Sequence, residues 1–386
     1  MTTTYLDNAA TSFPKAPGVA EAVCGYITGV GANVNRGSYA SAGEAARAVL
    51  ETRRLLKTLF SFPYEESHVV LIPGATFGLN LLLCGYLRAG DHVIVSGLEH
   101  NAVMRPLAQL ASHGIRFTRA PADEHGFTDP ACLPALFCGQ TRLMLVSHAS
   151  NVCGTLFPVK EAAALCRARG VPFALDAAQT AGHVPIDYAG LGLSALCVPG
   201  HKGLLGPQGV GALLLSPAFA AGLSPIVTGG TGSESDLERQ PDFLPDRFEP
   251  GTPNLPGIYG LRAALSYLLN IGVDALCREE LALAARFLSG IEALAADARV
   301  RVAGLSRTEG RVGVVSLDFP GRDNAAVAYR LEREHGILTR CGLHCAPSAH
   351  RALGTFPHGT VRFSFGHGNT PADADRAAEA VMRILK

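Results

Sequence analysis

The amino-acid sequence predicts an α/β protein in which a mostly parallel sheet carries helices on its faces, followed by a smaller α+β region. Three observations predict this. Short apolar runs bounded by turn residues recur between residues 45 and 215. Segments with helical periodicity separate several of these runs. Beyond residue 257 the balance shifts to helices with a few strand-like runs.

The elements follow in order. Residues 44–60 place Ala46, Val49, Leu50, Leu56, Leu59 and Phe60 at helical spacing. Residues 69–72 are continuously apolar, as a strand buried on both faces is. Pro73-Gly74 then turns the chain into a helix that runs to Leu87. Strands are predicted at 92–96, 115–118, 142–147, 171–176, 195–198 and 210–215, with a helix at 160–169. Residues 217–257 break the pattern with Gly229-Gly-Thr-Gly232 and five prolines between Pro241 and Pro256. A stretch of this length without periodicity reads as a functional loop or an interface segment. Helices at 261–269 and 275–295 and strands at 312–318 and 360–365 follow. A last helix has a clear start: Thr370 as N-cap, Pro371 at the first helical position and Asp373 closing a capping box. Ala374, Ala377, Val381 and Ile384 mark its apolar face.

Composition narrows the function classes. The chain has 386 residues, enough for about two domains and a large core. Lys plus Arg equals Asp plus Glu at 33 each, so a nucleic-acid partner is not expected. No apolar run approaches the roughly 18 residues of a membrane span, and no secretory pattern opens the sequence. Ten scattered cysteines fit reduced thiols better than a disulfide framework, so a cytoplasmic protein without a membrane partner is expected.

Four segments carry candidate chemistry. In Pro199-Gly-His-Lys202, a lysine leaves an apolar strand for a glycine-dense turn. Desolvation there lowers an amine's pKa and makes it a nucleophile, although a loop lysine can also be solvated or grip a phosphate. Asp176 ends the run 173–176, where α/β sheets place ligand contacts, and it equally fits a helix N-cap. Pro73-Gly-Ala-Thr76 joins a strand to a helix whose first N–H groups can cradle an anion. It matches neither the dinucleotide nor the nucleoside-triphosphate glycine motif. Arg340-Cys-Gly-Leu-His-Cys-Ala-Pro347 lacks a second ligand cluster, so no metal site is expected. There, a cysteine beside His and Arg reads as a thiolate nucleophile, since nearby positive charge lowers its pKa, with a buried structural cysteine as the alternative. Together, a strand-end Asp, a loop Lys 26 positions later and an upstream anion turn are what pyridoxal 5'-phosphate (PLP) requires.

At this point the sequence resembles the class V aminotransferase superfamily of fold-type I PLP enzymes, within it the cysteine desulfurase and selenocysteine lyase family. The resemblance rests on Tyr5-Leu-Asp-Asn-Ala-Ala-Thr11, Asn33-Val-Asn-Arg-Gly37, Gly74-Ala-Thr76, Glu99-His-Asn101 and Ser150-Asn-Val-Cys-Gly154. It continues through Asp176-Ala-Ala-Gln179, Gly200-His-Lys202, Phe248-Glu-Pro-Gly-Thr-Pro-Asn254, Leu343-His-Cys-Ala346 and Val361-Arg-Phe363. It implies a seven-stranded, mostly parallel sheet in a large domain at 15–256, and a small domain made of 1–14 and 257–386.

The resemblance also implies roles. Lys202 would carry PLP as a Schiff base, His100 would stack on its ring and serve in proton transfer, and Cys345 would accept sulfur as a persulfide. Asp176 would pair with the ring nitrogen and Gln179 with the ring oxygen. Ala75, Thr76 and His201 would sit at the phosphate, with Thr252 reaching in from the second subunit of a homodimer. Asn151 would serve cofactor and substrate. Arg362, Asn33 and Arg36 would hold the substrate, Arg362 by a bidentate fork to its carboxylate. The implied reaction turns L-cysteine into L-alanine and passes sulfur to an acceptor protein or small thiol. L-selenocysteine cleavage, another PLP-dependent β-lyase and a catalytically silent sulfur-relay subunit are the rivals. Two positions depart from the family's hydroxyl pattern at the phosphate, Ala75 and Pro199. Cys341 is expected to be inert, with a resolving thiol as the alternative.

Overall fold

The computed structural model describes residues 3–34 and 37–385. Seven strands form the main sheet in the order Val69–Ile72, Gly211–Leu215, Ala195–Pro199, Phe173–Asp176, Thr141–Ser147, His92–Ser96 and Arg116–Ala120. All neighbours pair in parallel except Gly211–Leu215, which is antiparallel to both of its partners.

Side-chain alternation splits this sheet into two cores. Val69, Ile94, Val146, Leu175 and Leu196 enter one, with the helices Ala40–Leu59, Val159–Arg169 and Leu255–Ile271 above them. Val70, Val95, Leu145, Ala174 and Leu213 enter the other, with Ala75–Tyr86 and Asn101–Ala111. Both faces are covered, which is why these strands are continuously apolar rather than alternating. Each fully buried Leu or Val contributes about 1.5–3 kcal/mol relative to exposure.

A second, four-stranded antiparallel sheet has the order Arg340–Gly342, Thr360–Ser364, Val314–Asp318, Arg301–Ala303. It shares a core with residues of the helices Val273–Ala296, Asn324–His335 and Pro371–Ile384. The N-terminal strand Thr4–Tyr5 pairs in parallel with Ile337–Leu338. Residues more than 300 positions apart are thereby sewn together.

The predicted elements are present with shifted ends. The strand predicted at 115–118 is Arg116–Ala120, and the helix predicted from 261 begins at Leu255. There Pro256 sits in the first turn and Asn254 caps it by accepting from the Gly257 N–H at 3.1 Å. The density of prolines hid this start. At the other end of the chain the Thr370 capping box is formed as predicted.

Candidate active site

The C-terminal ends of the parallel strands converge on one cavity of about 490 Å³. Ser147, Asp176 and Pro199 reach it from three strand ends. Ala75, Thr76, His100, Asn151, Gln179, His201 and Lys202 line it too, so most of the residues selected from the sequence are brought together. Gln208 joins them without having been foreseen.

Lys202 sits in the turn after Ala195–Pro199. The preceding carbonyl, that of His201, is gripped by the N-terminal segment. It accepts from Ser12 N (3.0 Å), Thr11 Oγ1 (3.0 Å), Ser12 Oγ (3.2 Å) and Lys15 Nζ (2.8 Å). Gly203 has no room for a side chain: a Cβ there would collide with the Ala181 carbonyl and the His183 ring. The lysine therefore leaves a rigid turn. Burial lowers its pKa to about 8, Asp176 and Asp7 oppose that shift, and Arg362 and Arg340 add to it. About a tenth of the amine is then neutral at pH 7, against well under a thousandth for a solvated lysine.

Asp176 is buried and accepts from the Ala178 N–H at 2.9 Å. Burial raises its pKa, while that hydrogen bond, Lys202 and Ser147 pull it down. His100 caps the helix Asn101–Ala111, its Nδ1 accepting from the Ala102 N–H at 3.0 Å. Nδ1 is thus unprotonated and the ring hydrogen sits on Nε2. Burial, with Lys202, Arg340, Arg105 and Arg362 nearby, lowers its pKa to about 4, so the ring is neutral at pH 7. His201 is likewise lowered to about 4, by burial and by Lys202 and Lys15. Gln179 donates from Nε2 to the Ala9 carbonyl at 3.1 Å, which leaves a second amide hydrogen. Ala75 and Thr76 form the first turn of the helix Ala75–Tyr86, where backbone N–H groups have no intrahelical acceptor.

Cys345 is exposed, on the loop that precedes the short helix Pro347–Ala352. His344 and Cys345 both have left-handed backbones, φ 47° and 57°, a conformation that costs roughly 1–2 kcal/mol per residue. Two contacts hold the loop there. Asn151 Nδ2 donates to the His344 carbonyl at 2.7 Å, and Asn101 N to the Cys345 carbonyl at 2.7 Å. One expectation is corrected here. His344 is buried beside Arg362, His350 and Arg340, and its pKa falls to about 2. It is a neutral ring near Thr360 Oγ1 (3.2 Å), so it supplies no positive charge to the thiol.

Arg362 is 1% exposed at its side chain and reaches the carbonyl of Asn151, a residue that lines the cavity. Its Nη1 donates to the Asn151 carbonyl at 3.0 Å and its Nη2 to Asp7 Oδ1 at 2.6 Å. Its Nε is buried without a partner. Four predicted residues among those described do not line the cavity within one chain: Cys345, Arg362, Thr252 and Asn33. Thr252 is exposed on a second cavity of about 600 Å³, which shares Pro73, Phe77 and Gly209 with the first. Asn33 is exposed, its Oδ1 accepting from the Val34 N–H. Arg36 lies outside the described residues. Asp7 and Lys15 were missed as site residues. Their signal was present only as part of a motif at Asp7, and a lysine in a Pro-rich turn offers none.

The cavity fits PLP. It offers an enclosed amine, a buried carboxylate, a flanking imidazole and free amides at a helix start. The class-V aminotransferase family model matches residues 4–377. The chain belongs to the class-V aminotransferase family. It is similar to a probable cysteine desulfurase of Methanothermobacter thermautotrophicus, 31% identical, covering 98% of this chain and 94% of the relative. It is similar also to a cysteine desulfurase of Escherichia coli, 31% identical over 98% and 93% of the two chains. The solved apo structure of a cysteine desulfurase from Thermococcus onnurineus NA1 superposes with a TM-score of 0.92, at 29% identity over 99% of this chain and 94% of that one. Among the described residues, no helix is long and apolar enough to cross a membrane.

Proposed function

We propose that this class-V family member is a PLP-dependent cysteine desulfurase. The observation that carries this reading is the pairing of an enclosed, low-pKa Lys202 facing Asp176 with an exposed Cys345 on a loop tied to the same cavity wall. Lys202 would hold PLP, Asp176 its ring nitrogen and Gln179 its ring oxygen. Thr76, His201 and the amides of Ala75 and Thr76 would take the phosphate. When bound, the cofactor supplies an electron sink for charge developing at the substrate Cα.

The chain's own groups do the rest. Lys202 Nζ, neutral in part near pH 8, accepts the Cα proton of L-cysteine. His100 packs on the cavity as a neutral ring that presents Nε2–H. Arg362 receives the substrate carboxylate. Cys345 Sγ, as thiolate, attacks the substrate sulfur; the new S–S bond forms as the Cβ–S bond breaks. Cβ gains a proton, Lys202 returns one to Cα, and the products are L-alanine and the Cys345 persulfide. An exposed loop then lets an acceptor protein or small thiol take the terminal sulfur.

Two copies would complete the site, with the partner subunit's Thr252 added to the phosphate. The exposed position of Thr252 beside an adjoining cavity supports this. Division into a domain of 15–256 and one of 1–14 with 257–386, and a cytoplasmic location, belong to the same reading. The test is alanine release from L-cysteine by PLP-loaded protein with a thiol reductant. Alanine with equimolar sulfide is expected. Alanine from L-selenocysteine alone would replace the desulfurase with the lyase, and no alanine from either would overturn both.

A further inference from the structure

We propose that Asp7 is an internal carboxylate that competes with the substrate for Arg362 and so sets how tightly the site holds an amino acid. This rests on the reading that Arg362 receives the substrate carboxylate. Arg362 is 1% exposed, while the Asp7 side chain is 23% exposed. Two of the guanidinium's five N–H donors are in use, one on Nη1 for the Asn151 carbonyl and one on Nη2 for Asp7, and the buried Nε has no partner. The other acceptor is a neutral carbonyl, so Asp7 is the one ion-pair partner recorded for this guanidinium among the described residues. A ligand carboxylate bound as a bidentate fork uses Nη2 on either edge, paired with Nε–H or with the second hydrogen of Nη1, so it sits beside Asp7 or displaces it. Either route places two negative charges near one another or breaks a 2.6 Å ion pair.

The consequence for turnover follows from the chemistry. Cysteine and alanine carry the same α-carboxylate, so a grip on that group binds substrate and product alike and accelerates nothing by itself. A shared arginine holds the carboxylate in place yet lets the product leave. Asp7 can yield because its segment is anchored on both sides. Leu6 N donates to the Leu338 carbonyl at 2.9 Å, and Asn8 Nδ2 to the Ser364 carbonyl at 2.9 Å. The backbone stays while the partly exposed side chain moves.

The test is the affinity of PLP-loaded protein for L-alanine, measured by calorimetry in wild type, Asp7→Asn, Asp7→Glu and Arg362→Leu. Asn keeps an oxygen for Nη2 but removes the charge. Asp7→Asn should bind alanine about tenfold more tightly, the size expected for two charges a few ångströms apart in a partly wet site. Asp7→Glu should stay close to wild type, and Arg362→Leu should lose binding. Unchanged or weaker binding in Asp7→Asn, with Arg362→Leu defective, would overturn the role of Asp7 and leave the site reading intact. Tightening in Asp7→Glu equal to that in Asp7→Asn would also overturn it, since charge would not be the cause. Full binding by Arg362→Leu would overturn the assignment of Arg362 itself. If Asp7→Asn fails to fold by circular dichroism, Asp7→Ser carries the same expectation.

Discussion

The turn that bears Lys202 lines the cavity and the loop that bears Cys345 is tied to its wall through Asn151, but the two are built in opposite ways. The Lys202 turn is enclosed: four donors fix the carbonyl before it, and its neighbour Gly203 has no space for a side chain. The Cys345 loop is exposed, strained in its backbone and held by two contacts to carbonyl oxygens. The difference matches two chemical demands. A base that abstracts a weakly acidic proton gains from desolvation, which lowers its pKa toward working pH. A nucleophile that must hand its cargo to another molecule gains from access. Enclosure and export are divided between two segments 143 positions apart in sequence, and Asn151 touches both the cavity and the loop.

This division can be broken from either side. The largest effect is expected for Lys202→Ala, which should lower alanine formation by at least about 10³-fold and let PLP wash out on dialysis, read by visible absorbance. Cys345→Ala should keep the cofactor's colour at full stoichiometry yet form no protein persulfide, read by mass spectrometry of the intact protein. Retention of persulfide would move the nucleophile elsewhere. The enclosure of Lys202 is sharpened by pH. Only the neutral amine captures an aldehyde, so the rate of PLP uptake by cofactor-free protein should rise about tenfold per pH unit and level off above about 8. A solvated lysine would keep rising to about 10.4. The smallest effect belongs to neither segment. Thr370→Ala should cost about 1 kcal/mol in denaturant unfolding, through its capping box, and leave alanine formation unchanged.

Local chemistry made much of this legible. The strand His92–Ser96 matches its predicted bounds because a buried parallel strand needs an unbroken apolar run, and turn residues frame it. Asp176, Lys202 and Thr76 were legible because each stands at a strand end or a helix start, places that a sequence marks. The sequence did not reveal contacts made across the chain. Asp7 meets Arg362 from 355 positions away, and Lys15 meets the His201 carbonyl from 186. His344 was misread for the same reason: its charge depends on burial among Arg362, Arg340 and His350, none of which its immediate neighbours announce. Thr252 and Asn33 stand in motifs of the sequence, and their side chains stay outside the cavity of their own chain.

The stitching of residues 4–15 into the site has a consequence for synthesis. The first strand finds its partner only when Ile337 and Leu338 have emerged from the ribosome, and Asp7 finds Arg362 later still. The main sheet, complete by Leu215, has all its strands long before then. A nascent chain can therefore gather Lys202, Asp176 and His100 early but has no finished amino-acid seat until its last strand, Thr360–Ser364, is available. Pairing of residues 4–7 with Ile337, Leu338 and Arg362 acts as a check on completeness: a chain terminated before Ile337 lacks the arginine and leaves residues 4–7 unpaired, visible to proteases.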